Sequence, residues 1–455
     1  MHTVHVGSVF PGVNLTCVQT DKFKTGCLSI NLISSLSHNT AAQLALMPRV
    51  LRRGSDELAD MERISSALDD LYGARIEPTV RKKGELHCVG FHVDFPDGRF
   101  IPDGSLLLEK TVSLASGILL SPVMQDNLMR QDYIDSEKKN LIDDIRAGIN
   151  DKRSYSIDRL LENMCENEAY SINRLGSEAD AGAITPESLT AQYRKQLTDS
   201  KVELLYCGSA DPARVTDALH SALHSLPGRK DLKTPETEIV LYPPHDTPRR
   251  ISETLDVSQG KLAAGFRLGK AMRNVPDYPA MMVFNAVYGS GVTSKLFVNV
   301  REKLALCYYA SSIIDKHKGV MVVSSGVEFS KFDIALDEIV AQLGHVKRGD
   351  ISTDELLSAK RSITTSIQSA MDRPSGLLEL YFDSSLAAVR YDPDKLCDMV
   401  SAVTLERVVE VASEIEMDTV YFLRGEASEG AAINGLLSER GEEESPQSMG
   451  GEDGV

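Results

Sequence analysis

The side chains with the best spacing for chemistry in this chain of 455 residues are an arginine and a tyrosine seven positions apart. Arg301 is near the end of a predicted helix, and Tyr308 is early in the strand predicted to follow it. An arginine offers a planar fork of donors for carbonyl or carboxylate oxygens, and a tyrosine hydroxyl can donate to a developing oxyanion. Because a helix-to-strand corner can direct two such side chains at one point, the pair is a candidate substrate-binding and catalytic site.

The apolar pattern around this pair predicts both elements. The stripe of the helix consists of Leu296, Phe297, Val300 and Leu304. The period then changes to two, which places on one face of the strand Leu306, Tyr308, Ala310 and Ser312, and on the other Cys307, Tyr309 and Ser311. A purely structural interpretation also stays open, in which Arg301 pairs with a nearby acid and Tyr308 fills a half-buried face.

A glycine turn, Gly289-Ser290-Gly291, precedes the helix. Because this turn follows a predicted helix rather than a strand, it is not a dinucleotide-binding fingerprint. Ser290 and Ser294 have no histidine and aspartate neighbours that would indicate nucleophilic catalysis. Neither a dinucleotide site nor a serine nucleophile is therefore predicted at this turn.

Two pairs of histidines have spacings that invite a metal interpretation. His220 and His224 are four residues apart on a predicted helix, which is the spacing of zinc ligands. Leu223 stands where a general base would be needed, so we interpret this pair as surface histidines and keep a zinc site as the alternative. His87 and His92 are five apart on a predicted strand, where an odd separation points side chains to opposite faces.

Composition narrows the classes of function. A net charge of −17 argues against nucleic acid and anionic membranes as partners. No run of eighteen apolar residues predicts a membrane-spanning helix, and no secretory signal is expected at the start. The seven cysteines are scattered and include no CxxC pair, which is typical of a reduced, cytoplasmic protein.

Strand and helix patterns occur twice along the chain and predict an α+β fold of two duplicated domains. Tyr72 and Tyr308 are 236 positions apart, as are Ala74 and Ala310. We place the first domain at 1–235 and the second at 236–426, with a polar, proline-containing linker over 229–250. Residues 427–455 are acidic and poor in apolar side chains, which predicts a disordered tail.

The stretch 289–310 resembles the C-terminal domain of the pitrilysin/insulinase family of zinc peptidases. The family pattern has a glycine-rich turn, a serine, a Leu-Phe pair, Arg-Glu-Lys, and a tyrosine seven residues after the arginine. The matching positions are Gly289, Gly291, Ser294, Leu296, Phe297, Arg301, Glu302, Lys303 and Tyr308. The resemblance extends over nearly the whole chain. It implies two domains, each a mostly antiparallel sheet with packed helices, that form a clam-like half chamber.

The metal site of active family members is missing. These members carry HxxEH on the first helix of domain one, and a later glutamate on a long helix is the third zinc ligand. Counted back from the helix end at Gly54, Ala45 and Arg49 stand at the positions of the two histidines and Pro48 at that of the glutamate, and Asp144 falls at the third-ligand position. An arginine at a ligand position repels a metal ion, and one carboxylate does not hold zinc.

The resemblance is closest to bacterial, zinc-free members that pair with an active relative. It implies a non-catalytic subunit of a heterodimeric zinc endopeptidase, with no cofactor on this chain and zinc on an HxxEH-bearing partner. Arg301 and Tyr308 would then act in trans, and with Gly289 and Gly291 would bind an extended peptide substrate. Some relatives are associated with modification of elongation factor P. The alternative is a scaffolding protein of the same fold with no role in proteolysis.

Overall fold

A computed structural model describes residues 2–425 of the chain except 229, 231, 271–276 and 388–390. The tail predicted to be disordered, 427–455, lies outside the described residues. The first half of the chain forms a six-stranded sheet in the order β1-β2-β8-β3-β5-β4. Its strands are β1 (Thr3–Phe10), β2 (Val13–Gln19), β3 (Thr25–Ser35), β4 (Arg75–Lys83), β5 (Leu86–Pro96) and β8 (Lys201–Gly208). Neighbouring strands are antiparallel except β2 and β8, which are parallel.

The second half forms a five-stranded sheet in the order β11-β12-β10-β13-β9. Its strands are β9 (Arg249–Thr254), β10 (Gly260–Arg267), β11 (Cys307–Asp315), β12 (Val320–Val327) and β13 (Glu416–Arg424). Its one parallel pair is β9 with β13. A short hairpin of β6 (Met124–Gln125) and β7 (Leu128–Met129) stands apart from both sheets.

The two sheets repeat one topology. The order β2-β8-β3-β5-β4 in the first half recurs as β9-β13-β10-β12-β11 in the second, and the parallel pair is at the same place in each. The predicted α+β class with two similar, mostly antiparallel sheets is therefore confirmed. The domain boundary at 235 falls in the segment between the two sheets and stays a prediction.

Helices cover the sheets and share the repeated order. In the first half they are α1 (Ala41–Leu51), α2 (Met61–Asp70), α3 (Leu107–Leu120), α4 (Gln131–Ala147), α5 (Lys152–Met164), α6 (Glu178–Gly182), α7 (Pro186–Asp199) and α8 (Pro212–Ala222). In the second they are α9 (Tyr278–Tyr288), a π-helix (Leu296–Lys303), α10 (Phe332–Lys347), α11 (Thr353–Ala370), α12 (Pro374–Leu386), α13 (Pro393–Ala402) and α14 (Leu405–Ser413). By chain order, α9, β11 and α11 occupy the places of α1, β4 and α4.

Two helices are exchanged between the halves. Helix α5 belongs to the first half, yet its Leu160 packs on Ala263 and Tyr421 of the second sheet. Helix α12 belongs to the second half, yet its Leu377 and Phe382 pack on the first sheet. Each sheet thus buries one apolar face under a helix from the other half of the chain.

A buried ion network joins the two halves. The Lys318 ammonium lies 2.6 Å from the Glu85 carboxylate and 2.5 Å from that of Glu168. The Arg267 guanidinium bonds Glu168 at 2.6 Å and Asp418 at 2.8 Å. Burial alone would raise the pKa of Glu168, but hydrogen bonds from Arg267 and Lys318 lower it below its usual value. Both cations are needed because these carboxylates are withdrawn from water.

Candidate functional site

The glycine turn positions the corner that carries the predicted pair. The Gly289 carbonyl accepts from the Ser312 N–H at 3.0 Å, which ties the turn to β11. A Cβ atom at Gly289 would lie 2.8 Å from the Leu296 side chain and would also meet Ser312, so a larger residue does not fit. Gly291 has φ of 141°, a conformation that favours glycine. The turn therefore fixes where the next helix begins.

The helix of the corner is a π-helix rather than the α-helix that the apolar period indicates. Leu296 and Val300 are fully buried as predicted. Leu304 is 50% exposed, so its place on the buried stripe was wrong. At the end of the helix the Leu304 N–H donates to the Asn299 carbonyl at 3.1 Å, and the next residue, Ala305, has a φ of 48°. The chain turns into β11 through this left-handed residue.

Strand β11 begins with a bulge that changes the predicted faces. The register to β12 shifts between Cys307 and Ala310, and both of these residues lie in the core of the second half. The prediction that Cys307 faces away from Ala310 is therefore wrong, because a bulge adds one residue to the alternation. Burial raises the pKa of the Cys307 thiol. Tyr309 points the other way, where the Arg153 guanidinium covers its ring at 4.4 Å.

Arg301 and Tyr308 both reach solvent at this corner. Tyr308 is 68% exposed, and no other described residue hydrogen-bonds its hydroxyl. Arg301 is 40% exposed, stacks on the Phe297 ring at 4.6 Å, and has its Nε 3.5 Å from the Glu302 carboxylate. The expectation that Tyr308 could fill a half-buried face does not match this exposure. Two donors are thus presented outward, with most of their hydrogen-bonding capacity unused by this chain.

The structure also brings together Arg49 and Asp144, two positions that the family resemblance assigns to a zinc site. Arg49 of α1 and Asp144 of α4 are 95 residues apart in sequence, and their side chains form an ion pair at 2.7 Å. Ala45 and Pro48 lie buried on the same helix. One turn along, Arg53 pairs with Glu137 at 3.2 Å.

These residues do not fit a zinc ion. Zinc needs three or four neutral imidazole, thiolate or carboxylate ligands, and here a guanidinium occupies the position of a ligand. The Arg49 cation already satisfies the Asp144 carboxylate. Within the described residues, no group of three or more His, Cys, Asp and Glu side chains could hold a metal ion.

Neither histidine pair forms a metal-binding arrangement. His220 stacks on Phe10 with ring centroids 4.5 Å apart. Helix α8 ends at Ala222, so His224 lies beyond it and its Nδ1 is 2.8 Å from the Ser221 carbonyl oxygen. His87 is fully buried on β5, while His92 on the same strand is 3.2 Å from Asp94.

Two cavities occupy equivalent places in the repeated topology. The one in the first half measures about 450 Å³ and lies between α1, β4 and α4, where Arg49, Pro78 and Asp144 line it. The one in the second half measures about 630 Å³ and lies between α9, β11 and α11, where Met281 and Ile313 line it. Arg301 and Tyr308 line neither cavity.

Two basic residues near these cavities have no local signal in the sequence. Lys82 lines the larger cavity, and burial lowers its pKa to about 8. Its ammonium contacts the carbonyl oxygens of Tyr170 and Ile172. Arg174 lines the smaller cavity from the loop before α6. The sequence around Lys82 indicates a solvated strand edge, and the sequence around Arg174 indicates a loop. No hydrophobic period distinguishes either residue from the other basic side chains of the chain.

At the positions that the family resemblance assigns to a metal site, the structure therefore holds an arginine–aspartate ion pair. Comparison with known proteins gives the family. The sequence profile described as "Peptidase M16 inactive domain" matches residues 183–363. The "Probable inactive metalloprotease YmfF" of Bacillus subtilis (strain 168) is 32% identical over 426 residues, which cover 92% of this chain and 97% of that protein. The chain therefore belongs to the M16 family of peptidases.

Two further comparisons give a more distant relative and a similar solved structure. The "Uncharacterized zinc protease YmxG", also of Bacillus subtilis (strain 168), is 22% identical over 254 residues, covering 55% of this chain and 59% of that protein. A crystal structure described as a conserved protein from Enterococcus faecalis V583 superposes with a TM-score of 0.85. It is 26% identical and covers 93% of this chain and 99% of the other.

None of the described helices is both long and apolar enough to cross a bilayer.

Proposed function

We propose that this chain is the non-catalytic subunit of a heterodimeric zinc endopeptidase. It supplies Arg301 and Tyr308 to a peptide bound at the HxxEH zinc site of a paralogous partner. The observation that carries the proposal is the contrast between two corners of the same chain. The metal positions are closed by an ion pair, while the Arg301 and Tyr308 side chains are presented to solvent.

The roles of the two residues follow from their chemistry. The Arg301 guanidinium has donors left over after its contact with Glu302, and these can bond a substrate backbone carbonyl near the scissile bond. The Tyr308 hydroxyl can donate to the oxyanion of the tetrahedral intermediate. Gly289 and Gly291 hold the turn that sets this corner. Zinc itself would be supplied by the partner.

An extended peptide fits the sheet edges that both halves leave open. Strands β4 and β11 end their sheets, and no further described strand pairs with either. A peptide in an extended conformation can add to such an edge through main-chain hydrogen bonds. The seven unbridged cysteines support placing this assembly in the reducing cytoplasm.

The existence of both kinds of relative in one organism supports a paired arrangement. Bacillus subtilis (strain 168) has a relative described as an inactive metalloprotease and another described as a zinc protease. The rival proposal is a scaffold whose arginine and tyrosine no longer act. The stacking of Arg301 on Phe297 favours that rival, because it gives the arginine a packing role within the chain.

The test is reconstitution with an HxxEH-bearing relative, followed by a peptide cleavage assay. Loss of one oxyanion donor lowers turnover by about 100- to 1000-fold. Tyr308→Phe removes one hydroxyl, and its turnover should fall by about 100-fold, the smaller end of this range. Arg301→Lys keeps the charge, loses the fork, and should weaken peptide binding. Neither change should lower the melting temperature by more than a degree or so, since the Tyr308 side chain is 68% exposed and the Arg301 side chain 40%, and lysine keeps most of the arginine stem over Phe297.

The matched control is Tyr72→Phe, at the equivalent corner of the first half. Tyr72 is 51% exposed, and its hydroxyl donates to the Pro102 carbonyl at 3.0 Å. This control should keep full turnover. Full activity of the Tyr308 and Arg301 variants would leave the scaffold as the better account.

A further inference from the structure

We infer that the smaller cavity, which occupies the place of the metal site, is a binding pocket for a peptide carboxylate. The cavity of about 450 Å³ is large enough for one acidic side chain and its flanking backbone. The inference goes beyond the proposed function, because the pocket lies in the first half and requires neither Arg301 nor Tyr308.

The charge inside the pocket is positive, against the trend of the chain. Two guanidinium groups, Arg49 and Arg174, line it together with one carboxylate, Asp144. The remaining lining consists of small, apolar or backbone groups: Pro78, Val80, Ala147, Gly148 and Leu175. In a protein with a net charge of −17, a concave site with one excess positive charge attracts anions selectively.

Both arginines have donors available. Arg49 uses Nη1 for Asp144, and its side chain remains 22% exposed, so its other N–H groups are not all withdrawn from water. Arg174 is exposed, and in the described part of the chain no acidic side chain lies within ion-pair distance of it, although the Asp158 carboxyl is near enough to interact with it electrostatically. A guanidinium has five N–H donors in a planar fork that matches a carboxylate. A second carboxylate can therefore be bound between the two arginines without displacing Asp144.

The wall of the pocket indicates that the carboxylate belongs to a peptide. Pro78 and Val80 lie on β4, the edge strand of the first sheet. A peptide strand laid along β4 would run past Arg49 and Arg174 and could place an acidic side chain, or its own C-terminal carboxylate, between them. Gly148 adds no Cβ here, and open space surrounds its position.

The pocket is tested on this chain alone by fluorescence anisotropy with three labelled pentapeptides. The first is Ser-Val-Glu-Val-Ser with an amidated C-terminus, the second replaces Glu by Gln, and the third is the Gln peptide with a free C-terminal carboxylate. A charge-assisted hydrogen bond gives an advantage of about tenfold in Kd or more, so the Glu peptide should bind at least that much tighter than the amidated Gln peptide. The third peptide shows whether a terminal carboxylate serves equally well.

Variants give the pocket a distinctive pattern. Arg174→Gln and Arg49→Lys should each reduce the preference for the Glu peptide several-fold, the second because the fork is lost while the charge remains. Asp144→Asn should have the opposite effect and tighten binding of the Glu peptide, since it removes the carboxylate that competes for Arg49. Arg63→Gln removes the same charge from an exposed site on α2 outside the pocket and serves as the matched control.

Several outcomes would overturn the inference. Equal binding of the Glu and amidated Gln peptides, or no saturable binding of any peptide, would show that the pocket does not select a carboxylate. A loss in Arg63→Gln as large as in Arg174→Gln would reduce the effect to overall charge. Weaker binding in Asp144→Asn would show that the ion pair supports the site rather than competing with the ligand. None of these results bears on Arg301 and Tyr308.

Discussion

Lys318→Met should destabilise the protein far more than removal of any exposed lysine. Its ammonium is fully buried and bonds Glu85, Glu168 and the Glu238 carbonyl, each within 2.6 Å. The network holds two cations and three carboxylates, and the variant leaves one cation for the same three. Breaking a buried ion pair on one side costs about 3–5 kcal/mol. With an unfolding entropy of about 1 kcal/mol per kelvin for 455 residues, that is a fall of about 3–5 °C in Tm.

The assay is thermal and urea unfolding of Lys318→Met beside two companions. Lys331→Met removes a surface pair with Glu328 and should cost less than about 1 kcal/mol. The double variant Lys318→Met/Glu85→Gln should recover part of the loss, because it removes one uncompensated carboxylate. The loss should also shrink at mildly acid pH, where the remaining carboxylates can take up protons. Equal losses for Lys318→Met and Lys331→Met, or a loss independent of pH, would refute the idea that the network is withdrawn from water.

Three further predictions follow from other parts of the structure. Burial lowers the pKa of His87 from 6.5 to about 4, so between these two pH values the unfolded chain binds a proton that the folded chain does not. The free energy of unfolding should therefore fall by about 3 kcal/mol as the pH drops through this range. In urea unfolding at a series of pH values, His87→Leu should reduce this dependence of the unfolding free energy on pH. Gly289→Ala should destabilise the protein by about 1–3 kcal/mol, because the added Cβ meets Leu296 and Ser312. Its control, Gly117→Ala on the open face of α3, should stabilise the protein by about 0.5–1 kcal/mol. An unchanged melting temperature in both variants would contradict this account of the turn. Elemental analysis of the purified chain should find no stoichiometric zinc, and one tightly held zinc ion lost on His220→Ala/His224→Ala would instead place a zinc site at these two histidines.

The sequence alone predicts much of the architecture because the local patterns agree with the tertiary environment. Alternating and continuous apolar runs predict the strands of the first sheet and four of the five strands of the second, and the spacing between Tyr72 and Tyr308 signals the duplication. Strand β9 was not predicted, because its first residues lie in the polar stretch interpreted as the linker over 229–250. The resemblance also assigned Arg49 and Asp144 to one centre, and the structure brings their side chains into contact.

The misses have non-local causes. The bulge that turns Cys307 into the core depends on how β11 pairs with β12, and no feature within the strand reports it. Lys318 lies in a turn with Asp315 and Gly319, and this local sequence predicts an exposed loop. In the fold, Glu85 and Glu168 of the first half contact its ammonium, and the side chain is buried. Arg174 is likewise remote from Arg49 in sequence, so only the folded chain shows that they share a cavity.

The exchange of helices α5 and α12 has a consequence for how the protein is made. During synthesis the first sheet is complete once β8 has emerged from the ribosome, but the helix that covers its Leu86 and Leu205 face begins only at Pro374. Helix α5 meanwhile has no second sheet on which to place Leu160. The nascent chain must therefore carry two uncovered apolar surfaces while nearly 170 more residues, from Ser209 to Arg373, are translated. A fragment that stops between the halves keeps both surfaces exposed, which makes it a ready target for chaperones or for aggregation.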